Sequence, residues 1–332
     1  MKKIITCLLA VMVVLTMTAC GDGEESAAAT ESGLSGKVTV YMPSPAGLAD
    51  EIAAGFTAAT DVDVEIFQGT TGEILARLEA EEANPVADVV ILASWTDGIS
   101  MKNDGKIMSY TPANADKVVE GWIDEDSMLF GYSASAVGVI YNTTIVPELS
   151  ADWNELASPE YKDLLAIPDA EKSGACKDFV ASYVNANGWT DLEALAANGM
   201  INGGANKAAL ESVTTGEIGI LVAGVDYNAY SSIDKGEPLQ IYYPAGGTVV
   251  NPRPAMIMNT SPNVENAKAF IDYLFSDEAQ TMVADAYLLP GRADITCDNR
   301  TNLSDIPQIT CDWDKMVEIS VDSAAKMNEL CK

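Results

Sequence analysis

Three short segments of this chain set hydroxyl side chains beside glycine or alanine just ahead of a helical pattern. They are Pro43-Ser44-Pro45-Ala46-Gly47, Gln68-Gly69-Thr70-Thr71-Gly72 and Ala170-Glu171-Lys172-Ser173-Gly174-Ala175. A serine or threonine there offers an O–H, and the first helical turn offers unpaired N–H groups at its positive end. Together these suit a phosphate, phosphonate or carboxylate. The same residues also serve as ordinary N-caps, and for any one segment that reading competes on at least equal terms. Ser94-Trp95-Thr96 and Asp226-Tyr227-Asn228 follow strand-like runs and are further candidates; Trp95 either covers a ligand or packs beneath a helix. Arg253, one of four arginines, is a candidate for a bidentate contact to an anion, or for pairing with a surface acid.

Histidine is absent. That removes the commonest general base, any Ser-His-Asp arrangement and the commonest metal ligand. Cys176, Cys297, Cys311 and Cys331 contain no CxxC pair, so a thiolate metal site has little support, and neither a cofactor nor a metal is expected. Cys297 and Cys311 flank a turn-rich stretch that a disulfide would staple; Cys176 with Cys331 is a second possible pairing. The enzymatic alternative is a carboxylate-based hydrolase, which needs two acids across a cleft with one pKa raised. The chain has 49 acidic residues, yet no motif marks such a pair. A formal net charge of −30 repels nucleic acid and anionic lipid, so no nucleic-acid partner is expected.

The elements that must position these residues alternate. A β-rich run at 37–41 is followed by a helical pattern at 46–59 with Leu48, Ile52 and Phe56 on one stripe. A strand at 63–67, a helix at 73–82 and a short apolar strand at 87–92 complete a strand-helix-strand-helix-strand series, the signature of a parallel α/β sheet. Residues 128–142 are β-rich over more than one ordinary strand, and 239–259 are β-rich again, broken by Pro and Gly. Between them lies a second alternating unit, with helices after Lys172 and around 190–198 and 206–214, and a strand at 218–223. Residues 261–285 read as a long amphipathic helical region. The chain leaves one α/β lobe, builds a second and returns.

The first twenty residues, MKKIITCLLAVMVVLTMTAC, carry two lysines, a short apolar run and small residues leading to Cys20. That is the layout of a secretory signal, too short and wrongly flanked for a spanning helix. Met17-Thr18-Ala19-Cys20 resembles a bacterial lipoprotein signal, which implies removal of residues 1–19 and lipidation of Cys20. The remaining chain would hold 17 basic and 49 acidic side chains, a net −32. Residues 20–36, mostly Gly, Ser, Ala, Thr and acid, read as a flexible tether. The expected location is extracytoplasmic, at the cell membrane.

From Lys37 to Ile295 the chain resembles the extracellular solute-binding proteins of bacterial ABC importers, in the group of ferric-iron, phosphonate and sugar-phosphate binders. The resemblance rests on residues 69–78 (GTTGEILARL), 83–89 (ANPVADV), Tyr243-Pro244 with Gly247-Thr248-Val249, 262–274 (PNVENAKAFIDYL) and 288–292 (LLPGR). It implies a two-lobe fold of the type II periplasmic-binding kind, a ligand cleft, two β crossovers acting as a hinge, and no catalysis. The crossovers are expected near Ser133–Val137 and Pro244–Val249, with lobe 1 at 37–133 and 249–332 and lobe 2 at 134–248. The implied ligand set is Ser44, Gly69, Thr70, Thr71, Ser94, Trp95, Ser133, Ser173, Gly174, Asp226, Tyr227 and Arg253. Expected partners are a small anionic ligand, a phosphonate or organophosphate, and an ABC permease; the chain itself is expected to be a monomer. Ferric iron or a ferric chelate is the alternative cargo, held in part by Asp226 and Tyr227. Iron-binding relatives use adjacent tyrosines near here, and Tyr227 has no tyrosine neighbour. Where sugar-phosphate binders carry an acid after Tyr-Pro, this chain has Ala245-Gly246-Gly247, which argues against a sugar ligand of that type.

Overall fold

The computed structural model describes residues 33–45 and 47–332. The signal, Cys20 and nearly all of the tether lie outside them. The elements run β1 Lys37–Met42, α1 Leu48–Thr60, β2 Asp63–Gln68, α2 Thr71–Ala80, β3 Val89–Ile91, α3 Trp95–Asn103, β4 Ile107–Met108 and β5 Phe130–Asn142. They continue with β6 Leu165–Ile167, α4 Gly174–Asn187, α5 Thr190–Ala197, β7 Ile201–Asn202, α6 Asn206–Thr214, β8 Ile220–Val225, α7 Asp226–Asp234 and β9 Leu239–Tyr242. The last are β10 Val250–Met258, α8 Val264–Leu274, α9 Asp277–Asp285, β11 Leu289–Pro290 and α10 Trp313–Leu330.

β5 organises the sheet. It is buried along its whole length, and it belongs to two pairing networks in turn. Residues 130–136 pair antiparallel with β10, which in turn pairs with β3, and β1 lies parallel between β3 and β2. Residues 137–142 pair antiparallel with β8 and β9, and β6 lies parallel between β8 and β7. The change of network falls at Ala136 and Val137, the place where the sequence predicts the first crossover. The chain returns from β9 to β10 through residues 243–249, where the second is predicted. Strands such as β3, β6 and β8 are buried on both faces because helices cover them, which is why they read as unbroken apolar runs.

Each half has its own core. Val38, Val40, Ile52, Phe56, Phe270 and Leu274 pack in the first. Trp153, Phe179, Val180, Leu195 and Val222 pack in the second. The long helical region at 261–285 is two helices, because Ser276 caps the second by accepting from Ala279 N. α10 has no counterpart in the expected elements. Its inward stripe of Met316, Ser320, Ser323, Ala324 and Met327 has helical spacing, with serines diluting the apolar signal. α10 packs on α4 and on α3, so its Ala324 and Met327 belong to the second core although the chain has already returned to the first half. Cys297 and Cys311 are not bridged, and neither are Cys176 and Cys331: all four are free thiols. Cys297 Sγ donates to Leu288 O and Cys176 Sγ to Pro168 O. Burial raises the thiol of Cys297 to about 11 and that of Cys331 to about 12. No helix of the described residues is long and apolar enough to cross a membrane.

Candidate ligand-binding cleft

A cavity of about 940 Å³ lies where the strand-to-helix loops of the two halves face each other. Ser44, Gly69, Thr70, Thr71, Ser173, Gly174, Tyr227 and Arg253 of the expected ligand set line it. The first-half contributions come from the loop before α1 and the loop before α2, and the second-half contributions from the loop before α4 and the start of α7.

Ordinary capping accounts for much of what the hydroxyls do. Thr70 caps α2 in a reciprocal box: its Oγ1 accepts from Glu73 N at 3.2 Å, and Glu73 Oε2 accepts from Thr70 N at 2.8 Å. Thr71 Oγ1 accepts from Ala93 N at 3.1 Å. Ser173 Oγ accepts from Cys176 N at 3.1 Å and so caps α4. Each hydroxyl in addition carries one O–H that can donate. The helices that leave N–H groups open are others. Gly47 precedes α1 and Ala205 precedes α6, neither helix has a side-chain cap, and both ends line the cavity. Hydroxyl-bearing segments do not point to α6, whose signal is the missing cap.

Four expected residues lie elsewhere. Ser94 is buried as the cap of α3, accepting from Asp97 N and donating to Asp178 Oδ1. Trp95 is 3% exposed, packs toward Trp313 of α10 with ring centroids 6.3 Å apart, and does not line the cavity. Asp226 is fully buried against Arg300, Nη2 to Oδ2 2.5 Å, and its carboxylate also accepts from Ala136 N and Tyr243 Oη. Its Oδ1 accepts from Tyr227 N at 2.8 Å, and of the two residues only Tyr227 lines the cavity. Ser133 lies behind the cavity wall, opposite Arg253 in the β5–β10 ladder.

The two halves approach closely beside the loop before α4. A Cβ on Gly174 would lie 2.8 Å from Ser94 Cβ and 2.9 Å from Ala93 O, and one on Gly72 would lie 2.8 Å from Glu171 O. Only glycine permits these backbone contacts. The loop is shaped by Asp169, whose backbone oxygen accepts from Lys172 N and Ser173 N. Burial pushes the Asp169 carboxyl up, but hydrogen bonds from Asn328, Lys172 and Glu171 N outweigh it and hold the group below its ordinary value.

Arg253 forms the floor. It is 1% exposed, its Nη2 donates to Pro43 O, and its Nε has no hydrogen-bond partner. Its guanidinium carbon stands 5.8 Å from the centroid of the Tyr227 ring. Arg77, Arg292 and Arg300 each hold a carboxylate; Arg253 holds none among the described residues. Lys172, Lys207 and Lys235 add positive charge, and Glu51, Glu73 and Asp285 add negative. Among the described residues no group of three or more acids or cysteines is gathered to hold a metal ion.

Two half-sheets joined by two β passages, with an open cleft between their helix N-termini, define a periplasmic-binding-protein fold of type II. The chain belongs to the family of bacterial extracellular solute-binding proteins, which it matches over residues 84–318. It is 27% identical over 289 residues to iron uptake protein A1 of a Synechocystis strain, covering 81% of this chain and 79% of that one. It is 24% identical over 252 residues to a Salmonella typhimurium periplasmic protein named for 2-aminoethylphosphonate binding, covering 73% of each. The fold matches periplasmic binding protein AfuA of Actinobacillus pleuropneumoniae, solved with fructose-6-phosphate, at a TM-score of 0.78 and 20% identity over 89% of this chain and 97% of that one. It also matches iron-bound HitA of Pseudomonas aeruginosa at 0.76 and 18%, over 88% and 99%. These relatives are named as binding and uptake proteins, not as enzymes.

Proposed function

We infer that this chain is the substrate-binding component of an ABC importer, capturing a small oxyanion-bearing ligand, a phosphonate or organophosphate, and handing it to a membrane permease. Arg253 carries the reading. A buried guanidinium without a carboxylate is costly unless a counter-anion completes it. In a chain with 49 acidic residues, an arginine left unpaired at the floor of a cleft is a site kept for an anion from solution. The open N-termini of α1 and α6 supply further N–H donors.

In this reading the lobes are 37–133 with 249–312, and 134–248, with α10 touching both. This differs from the expected division because α10 packs on α4. The lobes close by hinge motion about residue 136 and residues 243–249. Lipidation at Cys20 and the tether at 20–36 keep a monomeric binder at high effective concentration near its permease. No step needs a nucleophile or base. Asp178, whose carboxyl is raised to about 6, is buried behind α3 rather than in the cleft, which gives the hydrolase alternative no support.

A thermal-shift screen over phosphonates, sugar phosphates, inorganic phosphate, thiamine compounds and ferric salts tests the reading. A ligand at a hundredfold over its Kd stabilises the native state by about 2.7 kcal/mol. The expected result is a rise in Tm with a phosphonate or organophosphate that is lost in Arg253→Gln. No response to any anion, or a response that survives in Arg253→Gln, overturns it. Ferric iron is the second reading, favoured by Tyr227, Glu51 and Asp285 as oxygen donors in one cleft. A visible charge-transfer band with iron, lost in Tyr227→Phe, would replace the anion reading with it.

A further inference from the structure

The charges that line the cleft are sorted by wall. Residues 134–248 hold 15 acidic side chains and five lysines. Three of those lysines, Lys172, Lys207 and Lys235, line the cavity, and none of the acids does. The first half reverses this: Glu51, Glu73 and Asp285 line its wall, and Arg253 at the floor is the cation there. With 49 acidic and 19 basic side chains in the chain, a wall that draws lysines alone departs from the average surface.

Four of these charges are uncommitted. Lys172 is paired with Asp169 at 3.1 Å, and Glu73 is engaged as the cap partner of Thr70. Among the described residues the side chains of Glu51, Lys207 and Asp285 enter no ion pair or hydrogen bond, and Lys235 donates to Ser231 Oγ of the adjoining helix α7 at 3.1 Å. An anion from solution gains nothing from Glu51 or Asp285, so these carboxylates call for another partner. The lysines on the facing wall carry the complementary charge. One contact between the walls is already made: Tyr287 hydrogen-bonds Asp234, and burial together with that carboxylate raises the Tyr287 phenol above its ordinary value. Asp285 and Lys235 flank this contact, one from each half.

We propose that Glu51 and Asp285 of the first half and Lys207 and Lys235 of the second are closing contacts, apart in the open cleft and drawn together across it as the halves shut. Part of the grip on a ligand then comes from attraction between the protein's own walls. This rests on the hinge closure of the reading above and names what the closed state gains. Exposed ion pairs are individually weak, worth a factor of about five at most. They are also screened by salt: the screening length is about 30 Å at 0.01 M and about 3 Å at 1 M.

Charge reversal in the full chain tests the proposal, with methylphosphonate as the probe in calorimetric titrations. Asp285 and Lys235 are both exposed, so neither reversal disturbs a core. At about 0.01 M salt Lys235→Glu and Asp285→Lys should each weaken binding about fivefold, and the double variant should return to within about twofold of the parent. At about 1 M salt the four proteins should converge. Asp285→Lys decides the matter, because it adds positive charge to a cleft that takes an anion. If it tightens binding, or if neither single variant changes it, the walls do not attract each other and the proposal is overturned while the anion reading stands. If methylphosphonate at millimolar concentration binds none of the four proteins, the anion reading falls, and X-ray scattering of the ligand-free chains at low salt decides on the walls. Larger radii of gyration in the two single variants than in the parent and the double variant support the closing contacts; four equal radii overturn them.

Discussion

Asp178 Oδ2 accepts the backbone N–H of Trp95 at 2.8 Å, so a carboxylate on α4 of the second half caps α3 of the first. Its other oxygen accepts from Ser94 Oγ at 2.9 Å and Thr96 Oγ1 at 2.5 Å. Around it lie Asp97 and Lys177, paired to each other, and the thiol of Cys311. This contact joins the two halves away from the strands that connect them.

The Asp178 contact has a pH signature. Burial raises its carboxyl to about 6, against the hydrogen bonds from Thr96 and Ser94 and the charge of Lys177, while the charge of Asp97 adds to the rise. A carboxyl raised on folding favours the native state below its unfolded pKa of about 4, and loses that contribution as pH climbs through 6. A rise from about 4 to about 6 corresponds to about 3 kcal/mol. Asp178→Asn keeps the shape and cannot ionise. Relative to the parent it should be about as stable at pH 4 and more stable by up to about 3 kcal/mol at pH 7. Urea denaturation of both proteins across that range checks this; a constant difference refutes it.

The pair of Arg300 and Asp226 ties the C-terminal segment to the point where β5 changes network. Both side chains are fully buried, and Asp226 also accepts from Ala136 N at 3.0 Å. Removing one member leaves a buried charge, at a cost of about 3–5 kcal/mol. Arg300→Met should therefore lower stability by that amount, and Arg300→Met with Asp226→Asn should recover part of it. A double-mutant cycle in urea reads the coupling. Additive losses would show that the two residues act separately.

Thr70 and Ser173 separate capping from ligand contact. Both hydroxyls accept from the first turn of their helices, so alanine at either should cost about 1 kcal/mol of stability. If they also donate to an anion, Thr70→Ala with Ser173→Ala weakens binding further, yet less than Arg253→Gln, which removes the charge. Unfolding curves and titrations on the same samples distinguish the two effects. Unaltered stability would mean that the caps are replaced by water.

Most of the architecture is visible in the chain because local patterning and tertiary placement agree. The buried runs of β3 and β8, the box formed by Thr70 and Glu73, and the excess length of β5 all follow from short-range sequence. Ser94, Trp95 and Asp226 are placed otherwise by partners distant in sequence: Asp178, Trp313 and Arg300. A Ser-Trp-Thr after a strand reads the same whether it faces a cleft or a helix. Arg253 is legible as a candidate anion ligand, but its lack of a carboxylate is a property of the folded surroundings alone.

α10 holds the loop before α4 through a single side chain. Asn328 Oδ1 accepts from Ala170 N at 3.0 Å, and its Nδ2 donates to Asp169 Oδ1 at 2.8 Å and to Glu171 Oε2 at 2.9 Å. The same oxygen accepts from Asn202 Nδ2 at 3.2 Å. Asn328 does not line the cleft, so it is a positioning residue for Lys172, Ser173 and Gly174, which do. Asn328→Ala should release residues 169–173, raising the amide exchange of Lys172 and Ser173 and weakening ligand binding about tenfold. The global cost should be nearer 1 kcal/mol, the usual net worth of a hydrogen bond. Asn328→Asp would keep the acceptor for Ala170 and Asn202 but set a charge against Asp169 and Glu171, and it should be worse than alanine at pH 7 and recover in acid. Hydrogen exchange and titration at two pH values follow both effects, and an aspartate variant that binds as tightly as the parent at neutral pH would show that the loop holds its shape without α10.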